Sequence, residues 1–315
     1  MFRRRQSVRA SGGAASGDRV VVLRDGRTLG YREYGDAGGF PVIALHGTPG
    51  SRLKYGGAHA GAVAKGLRIL ALDRWGYGLS CAKPAATLAG YGADAEELAD
   101  RLGLGRFAVT GVSGGGPFAV AVAAKLKDRV AALALVSPVG VINGPSGRAV
   151  LSPFHAMCFQ LAPRIPGLLG CSFLAYRAML AAAPDVAMRI AVVKSAPADR
   201  ALMRDKQMRA GMAAMFAEGL AAGVLGPVTD MALFGREWFS EPLASGFEGS
   251  GFSGVSADVR IWIGLKDRNV PLAAVRALHA SLPGSDCIEI ADAGHQWLAG
   301  HFHVVFDWIH ERARQ

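Results

Sequence analysis

The stretch that most restricts the fold of this chain is a short apolar run that ends in a serine between glycines. Residues 107–111 predict a buried strand, and the alanine-rich residues after Pro117 predict a helix. A strand that turns directly into a helix pushes the side chain at the turn out of the backbone, while Gly111 and Gly115 let neighbouring segments approach closely. Ser113 is therefore a candidate nucleophile. The alternative is an ordinary helix-start serine, but the strand and the glycines around Ser113 favour the nucleophile.

Apolar runs of strand length alternate with segments of helical length along most of the chain, which predicts an α/β fold. The predicted strands are residues 20–23, 29–34, 41–46, 68–73, 107–111, 130–137, 259–264 and 287–290. The predicted helices are residues 52–65, 88–102, 117–127, 272–282 and 300–314. This order implies a mostly parallel, eight-stranded sheet flanked by helices. The Asp25-Gly26 pair predicts a hairpin between the first two strands.

The alternation stops after Pro138 and resumes only at the seventh predicted strand. Residues 139–256 are rich in Met, Ala, Leu and Phe and predict helices separated by Pro and Gly. We interpret them as a helical cap inserted into an α/β core of residues 18–138 and 257–315. The Gly- and Ser-rich end of the insertion, residues 245–256, fits a flexible connector.

The net charge of +10 raises the question of a nucleic-acid partner. Part of that charge comes from residues 1–17, which we expect to be a disordered basic tail; they contain no acid and the arginines Arg3, Arg4, Arg5 and Arg9. The other basic residues are scattered, so no nucleic-acid partner is expected. No apolar segment as long as that of a secretory signal follows the tail, and none in the chain is long enough to cross a bilayer, so neither a secretory signal nor stable membrane insertion is expected.

The four cysteines are far apart in sequence and form no pair or cluster at zinc-ligand spacing: Cys81, Cys158, Cys171 and Cys287. They fit small apolar residues in a reducing compartment, so a cytoplasmic protein is expected. The sequence predicts no metal site and no cofactor. The expected partner is a small-molecule substrate, and the oligomeric state is left open.

A hydrolytic serine needs a base to accept its proton and a carboxylate to orient that base. His295 follows the last predicted strand in Ala-Gly-His, and Asp267 follows the strand before it. The carboxyl ends of parallel strands meet at one edge of the sheet, so both side chains are expected near Ser113. Asp292 and Asp258 are the alternative carboxylates, because one lies near His295 and the other precedes a strand.

Two further polar residues at strand ends are expected to be structural. His46 is interpreted as part of its own loop, and Asp73 is expected to fix the loop that follows its strand. The remaining histidines either fall on the last predicted helix or do not follow a strand.

The order Ser, Asp, His resembles that of the α/β-hydrolase superfamily, and the resemblance extends from Val20 onward. It rests also on His-Gly-Thr-Pro-Gly-Ser at residues 46–51, Asp-Arg-Trp-Gly-Tyr-Gly-Leu-Ser at residues 73–80, and Trp238-Phe239 ahead of the seventh strand. The resemblance implies a serine hydrolase with Ser113, Asp267 and His295 as catalytic residues. It also implies that the backbone N–H groups of Gly114 and Thr48 form the oxyanion hole.

The expected reaction is cleavage of a carboxylic ester of a small apolar substrate through an acyl-enzyme on Ser113. Serine at this turn disfavours haloalkane dehalogenase and epoxide hydrolase chemistry, for which the resembling families use aspartate. Aminopeptidase, carbon–carbon bond hydrolase and perhydrolase activities stay open, although Gly114 replaces the tryptophan usual in proline-iminopeptidase-like enzymes. The remaining alternative is a non-catalytic ligand-binding protein on the same fold.

Two groups of cap residues have competing interpretations. The first could line an apolar acyl pocket or form ordinary core: Met157, Phe159, Met179, Met188, Met203, Met208, Met212, Met215 and Phe216. The second comprises carboxylates, any of which could bind a substrate amine but which are expected to be solvated surface: Asp185, Asp199, Asp205, Glu218, Asp230 and Glu237.

Overall fold

The computed structural model describes residues 17–142, 159, 164–235 and 254–315. Several predicted features lie outside these residues. They are residues 1–16 of the basic tail, most of the Gly- and Ser-rich connector, Met157, Cys158, Glu237 and Trp238-Phe239.

The described residues form one eight-stranded sheet in the order β1-β2-β4-β3-β5-β6-β7-β8. The strands are β1 Arg19–Val22, β2 Thr28–Gly35, β3 Phe40–Leu45, β4 Leu67–Leu72, β5 Phe107–Val112, β6 Val130–Val136, β7 Asp258–Gly264 and β8 Asp286–Ile290. Strand β2 pairs antiparallel with β1 and β4, and every other pair is parallel. The predicted hairpin and the mostly parallel eight-stranded sheet are confirmed.

The central strands are mostly apolar, as expected for a sheet that helices cover on both faces. Every residue of β5 is buried, and consecutive residues of β3 point to opposite faces. Ile43 and Leu45 pack into one core cluster, and Val42 and Ala44 pack into the other. The two clusters fix the register of the sheet, since a slip by one residue would exchange these faces.

Five helices flank the sheet: α1 His59–Ala64, α2 Leu88–Arg101, α3 Gly115–Leu126, α9 Leu272–Ala280 and α10 Leu298–Ala313. Helices α1 and α10 cover one face, and α2, α3 and α9 cover the other. The predicted helix of residues 52–65 is divided into a 3₁₀ helix, Arg52–Ala58, and α1.

Between β6 and β7 the described residues include five more helices, called the inserted helices: α4 Pro166–Ala182, α5 Pro184–Ala191, α6 Pro197–Leu202, α7 Lys206–Gly219 and α8 Leu225–Phe234. Three of them begin with proline. Proline has no backbone N–H, and this suits the first helical turn because an N–H there would have no partner within the helix. Met188, Met203 and Met212 pack together in a separate apolar cluster, so for these three the core interpretation holds.

The inserted helices pack onto loops at the carboxyl edge of the sheet. The Ser51 hydroxyl, after β3, donates to the Met215 carbonyl at 2.8 Å. The Gly78 N–H, after β4, donates to the Gly219 carbonyl at 3.2 Å. These contacts place the insertion over the edge at which the predicted site residues lie.

Within the described ranges, no helix is both long and apolar enough to cross a membrane. The same residues bring no three His, Cys, Asp or Glu side chains together in a group that could hold a metal ion.

The close packing of α3 against β5 depends on a glycine, and this can be tested. A Cβ on Gly111 would lie 2.6 Å from the Gly115 carbonyl oxygen and 2.7 Å from the Ala119 Cβ. We expect Gly111→Ala to destabilise the fold by about 1–3 kcal/mol, because the helix must shift to admit the methyl group. Urea unfolding would measure the change. Gly105→Ala is the control, since nothing lies within 4 Å of its added Cβ; equal stability of the two variants would contradict this account.

Candidate active site

Ser113 lies in the turn between β5 and α3, as the sequence predicts. Its φ of +52° falls in the left-handed region, which costs a non-glycine residue roughly 1–3 kcal/mol. The Ser113 N–H donates to the Val136 carbonyl at 3.0 Å. The Ser113 carbonyl accepts from the N–H groups of Gly116 and Val139, each at 2.9 Å. These bonds hold the strained turn and leave the serine side chain only partly buried.

Three side chains that follow different strands form a hydrogen-bonded chain. The Ser113 hydroxyl donates to His295 Nε2 across 3.1 Å. His295 Nδ1 donates to Asp267 Oδ2 across 2.8 Å. Asp267 Oδ1 accepts from the N–H groups of Asn269 and Val270, and the Asp267 side chain is 1% exposed. The structure thus brings all three predicted residues together in an order that can pass a proton from Ser113 to His295.

The two alternative carboxylates face solvent instead. Asp292 is 88% exposed and pairs with Lys266 at 2.6 Å. Asp258 is 58% exposed and lies 3.5 Å from Arg312. Neither contacts His295, so Asp267 is the carboxylate that can orient the imidazole.

Opposing effects act on the His295 imidazole. Burial disfavours the charged form, but the carboxylates of Asp267 and Asp199 favour it more strongly, so the pKa of His295 is raised above its ordinary value. The ammonium of Lys54 opposes this rise, and burial lowers the pKa of Lys54 itself to about 8. Burial would raise the pKa of Asp267, but His295 and two backbone N–H groups lower it below the usual range. The pair is therefore an ionised carboxylate beside an imidazole that accepts a proton readily.

The loop after β3 lies beside the serine. A Cβ on Gly47 would be 3.1 Å from the Ser113 Cβ, and a Cβ on Gly114 would overlap with Thr48 Oγ1. The two residues predicted to form the oxyanion hole, Gly114 and Thr48, are thus in contact next to Ser113. In the part of the chain that the structure describes, neither of their backbone N–H groups has an acceptor.

His46 and Asp73 take the structural places expected of them. His46 is fully buried; its Nδ1 donates to the Gly47 carbonyl at 2.7 Å, and its Nε2 accepts from the Arg74 N–H at 3.1 Å. Burial and the neighbouring Arg74 hold the pKa of His46 well below its ordinary value, so the ring is neutral. Asp73 accepts from the Leu79 N–H at 2.9 Å within the loop after β4.

A buried ion pair that sequence reasoning missed lies behind the loop after β3. Arg74 Nη1 is 2.6 Å from Asp230 Oδ1 of helix α8, and their side chains are 0% and 3% exposed. Asp230 Oδ2 accepts from the hydroxyls of Tyr77, at 2.6 Å, and Thr48. Arg74 Nη2 donates to the Gly47 carbonyl at 3.0 Å. One carboxylate of the inserted helices therefore reaches the loop beside Ser113 both directly and through Arg74.

A second buried carboxylate, Asp199 of helix α6, contacts the histidine loop. Its Oδ2 accepts from the His295 N–H at 3.0 Å, and its Oδ1 accepts from the Gln296 N–H at 2.8 Å. A Cβ on Gly294 would overlap with the carboxylate, so glycine is required for this approach.

The expectation that the cap carboxylates are solvated is wrong for Asp199 and Asp230, which are 1% and 2% exposed. Their burial follows from the backbone N–H groups and the guanidinium that bond to them. Asp185 and Asp205 are exposed, and Glu218 is partly exposed. The sequence gives only an indirect indication of these buried carboxylates, because Arg74 and Tyr77 lie in the segment that carries the family resemblance. No residue next to Asp199 or Asp230 in the sequence indicates that either is buried.

Comparison with known proteins gives the same fold. A family model described as the α/β-hydrolase fold matches residues 41–160. The chain is similar to a bromoperoxidase from Bacillus anthracis, with a TM-score of 0.69, 17% identity, and coverage of 95% of this chain and 100% of that one. It is also similar to an esterase from Exiguobacterium antarcticum, with a TM-score of 0.65, 16% identity, and coverage of 94% and 99%. The chain has the α/β-hydrolase fold.

One curated relative of this α/β-hydrolase-fold protein is a non-heme chloroperoxidase from Streptomyces lividans, 33% identical over 122 residues. The match covers 38% of this chain and 44% of the chloroperoxidase, so it spans less than half of that protein's length. The fold inferred from the sequence is confirmed, and the comparisons leave the reaction to be argued from the site.

The charge environment of His295 in this α/β-hydrolase-fold protein predicts how its imidazole titrates. We expect a pKa above 6.5, and a lower pKa in Asp267→Asn, because burial then acts against the imidazolium without the main opposing charge. NMR titration of the ring protons would measure both values. Asp292→Asn is the control and should leave the His295 titration unchanged, since Asp292 is solvated and paired with Lys266. An equal shift in the two variants would contradict the assignment of Asp267.

Proposed function

We propose that this protein is a serine hydrolase that cleaves a carboxylic ester of a small apolar substrate through an acyl-enzyme on Ser113. One observation carries the proposal: a serine hydroxyl in a strained strand-to-helix turn donates to a histidine that is itself bonded to a buried aspartate, across 3.1 and 2.8 Å. This arrangement can activate a serine that would otherwise be a weak nucleophile.

The first half of the reaction transfers the acyl group. His295 Nε2 takes the hydroxyl proton while Ser113 Oγ bonds to the carbonyl carbon of the ester, and Asp267 stabilises the imidazolium that forms. The tetrahedral intermediate then collapses as the bond to the alkoxy oxygen breaks. His295 returns the proton to that oxygen, so an alcohol leaves and the acyl group stays on Ser113.

The second half repeats the steps with water. His295 removes a proton from water, the resulting hydroxide bonds to the acyl carbon, and the ester bond to Ser113 breaks. The proton returns to Ser113 Oγ, which restores the free serine and releases a carboxylic acid.

The backbone N–H groups of Gly114 and Thr48 are proposed to stabilise the oxyanion of both tetrahedral intermediates. Two observations support them: their contact next to Ser113, and the absence of any other acceptor for either N–H within the described residues. A donor of this kind contributes about 2.7–4 kcal/mol to the stability of a transition state.

The preference for an apolar acyl group rests on what surrounds the serine turn. A ring carbon of Phe234 would be 3.3 Å from a Cβ on Gly114, so an aromatic side chain of helix α8 lies against the proposed oxyanion hole. The inserted helices lie over the same edge of the sheet, and we propose that they act as a cap that covers the bound substrate.

Perhydrolysis is a second candidate reaction, favoured by the names of the chloroperoxidase and bromoperoxidase to which the chain is similar. Hydrogen peroxide would take the place of water in the second half-reaction and release a peracid. Assays with and without peroxide distinguish the two reactions. This alternative would be favoured if, relative to the concentrations of hydrogen peroxide and water, peracid forms faster than carboxylic acid.

The decisive test of the hydrolase proposal is covalent labelling. A fluorophosphonate should add one label to the wild-type protein, measured by intact mass, and none to Ser113→Ala. Hydrolysis of p-nitrophenyl esters of increasing chain length should then disappear in the same variant, and the chain-length profile would measure the acyl pocket. A folded wild-type protein that neither labels nor turns over an ester would favour a non-catalytic ligand-binding protein.

The proposed mechanism also predicts the effect of the triad aspartate. Asp267→Asn should lower kcat by about 10⁴, because the amide cannot hold the imidazole in the required tautomer or stabilise its cation. In the wild-type protein kcat/KM should fall as the pH drops through the pKa of His295, which lies above 6.5. An acid limb centred near pH 4 would point to a carboxylate base and would contradict His295.

A further inference from the structure

The two loops that border Ser113 each receive one buried carboxylate from the inserted helices. Asp230 of α8 bonds to the loop after β3, and Asp199 of α6 bonds to the loop after β8. The side chains that would carry substrate contacts or protons lie on these loops, whereas the two aspartates lie behind them. This juxtaposition links the seating of the inserted helices to the geometry of the site.

Asp230 acts on its loop by two routes. Its Oδ2 accepts from the Thr48 hydroxyl, which fixes the residue whose N–H is proposed to bind the oxyanion. Its Oδ1 pairs with Arg74, which in turn donates to the carbonyls of His46 and Gly47, each at 3.0 Å. Three consecutive residues of the loop are therefore bonded to Asp230 or to its partner.

The burial of this network makes it depend on helix α8. Arg74 is fully buried, and of the described residues only Asp230 gives it a carboxylate within ion-pair distance. A buried guanidinium that loses its counter-ion is strongly unfavourable, so Arg74 can hold the loop in place only while α8 is docked. The position of the loop after β3 thus depends on helix α8, which belongs to the insertion between β6 and β7.

Asp199 acts on the backbone of the base itself. Its two oxygens accept from the consecutive N–H groups of His295 and Gln296, and the loop approaches closely enough that Gly294 has no room for a Cβ. The charged groups that act on the imidazole are Asp267, Asp199 and Lys54, which come from three different segments. Asp199 therefore contributes both a fixed position and a negative charge.

We infer that Asp230 and Asp199 are positioning residues through which the inserted helices set the geometry of the active site. Asp230 fixes the oxyanion loop, partly through Arg74, and Asp199 fixes the backbone of His295. The inference rests on the proposed function, because the positions matter for catalysis only if Ser113 is the nucleophile. It assigns the inserted helices a part in assembling the site in addition to covering it.

The test uses Asp230→Asn and Asp199→Asn in the full chain, with Asp205→Asn as the matched control. Asp205 is exposed on the inserted helices and caps α7, a place where asparagine serves equally well. Steady-state ester hydrolysis across pH, fluorophosphonate labelling rates and thermal unfolding would be measured for each variant. The control should match the wild-type protein in all of them.

The two variants should differ in kind. Asp230→Asn should lower kcat by about 10², as expected for a displacement of about 1 Å at the site, with little change in KM or in the acid-limb midpoint. Asp199→Asn should lower kcat and also move the acid-limb midpoint to lower pH, because one charge that favours the imidazolium is lost. A role limited to attaching the helices would lower the unfolding temperature and leave kcat and the acid limb of the folded protein unchanged, which would overturn the inference.

Thr48→Val provides a second route if Asp230→Asn does not fold. It removes the hydroxyl that donates to Asp230 and accepts from Arg74 Nη2 at 3.0 Å, and it keeps the buried ion pair between Arg74 and Asp230. We expect a lower kcat with a near-normal unfolding temperature. Wild-type kcat in this variant would overturn the direct route from Asp230 to Thr48 and would leave only the route through Arg74.

Two measurements do not need activity and so separate this inference from the proposed function. In a Ser113→Ala background, Asp199→Asn should lower the NMR-measured pKa of His295 and speed hydrogen exchange at the amides of His295 and Gln296. Asp230→Asn should speed exchange in residues 46–51. If the wild-type protein shows these couplings but neither labelling nor hydrolysis, the proposed function fails and the structural coupling stands; unchanged exchange and titration would reject the coupling itself.

Discussion

A buried guanidinium organises the carboxyl edge of this sheet. Arg74 follows β4 and is fully enclosed, with its charge balanced by Asp230 and its remaining donors directed at the loop after β3. The rings of Phe118 and Tyr77 lie 4.6 and 5.0 Å from its central carbon and exclude water from it. Because a charge in such surroundings must stay paired, the loops around it have few alternative arrangements. The serine turn therefore has a firmly held neighbour in the loop after β3.

The sheet and the inserted helices contribute different parts of the site. The sheet delivers Ser113, Asp267 and His295 to one edge, since each follows the carboxyl end of a parallel strand. The helices supply the two carboxylates that fix the surrounding loops. In this division, the chemistry of the proposed nucleophile belongs to the sheet, and the position of the loops around it depends on helices of the insertion.

The strands, the serine turn and the three residues of the hydrogen-bonded chain were predictable because their signals are local. A mostly apolar β5 followed by glycines around Ser113 predicts the strand-to-helix turn from the local sequence, and strand ends place Asp267 and His295 without knowledge of their contacts. Asp199 and Asp230 were not predictable in this way. Each is an aspartate in a helical segment, and its burial is caused by groups 96 and 156 positions away, His295 and Arg74. Composition and periodicity carry no information about such distant partners.

The separation of these partners along the chain also affects how the protein is made. The bond between Ser113 and His295 spans 182 positions, and the bond between Thr48 and Asp230 spans the same number. During translation, β1 to β6 leave the ribosome well before the residues that complete the site on their carboxyl edge. Until then Arg74 lacks its counter-ion Asp230, and the apolar surface that the later helices cover is exposed. Such a state is prone to association with other chains. We expect the interval before residue 230 emerges to be the period in which this chain most needs protection by chaperones.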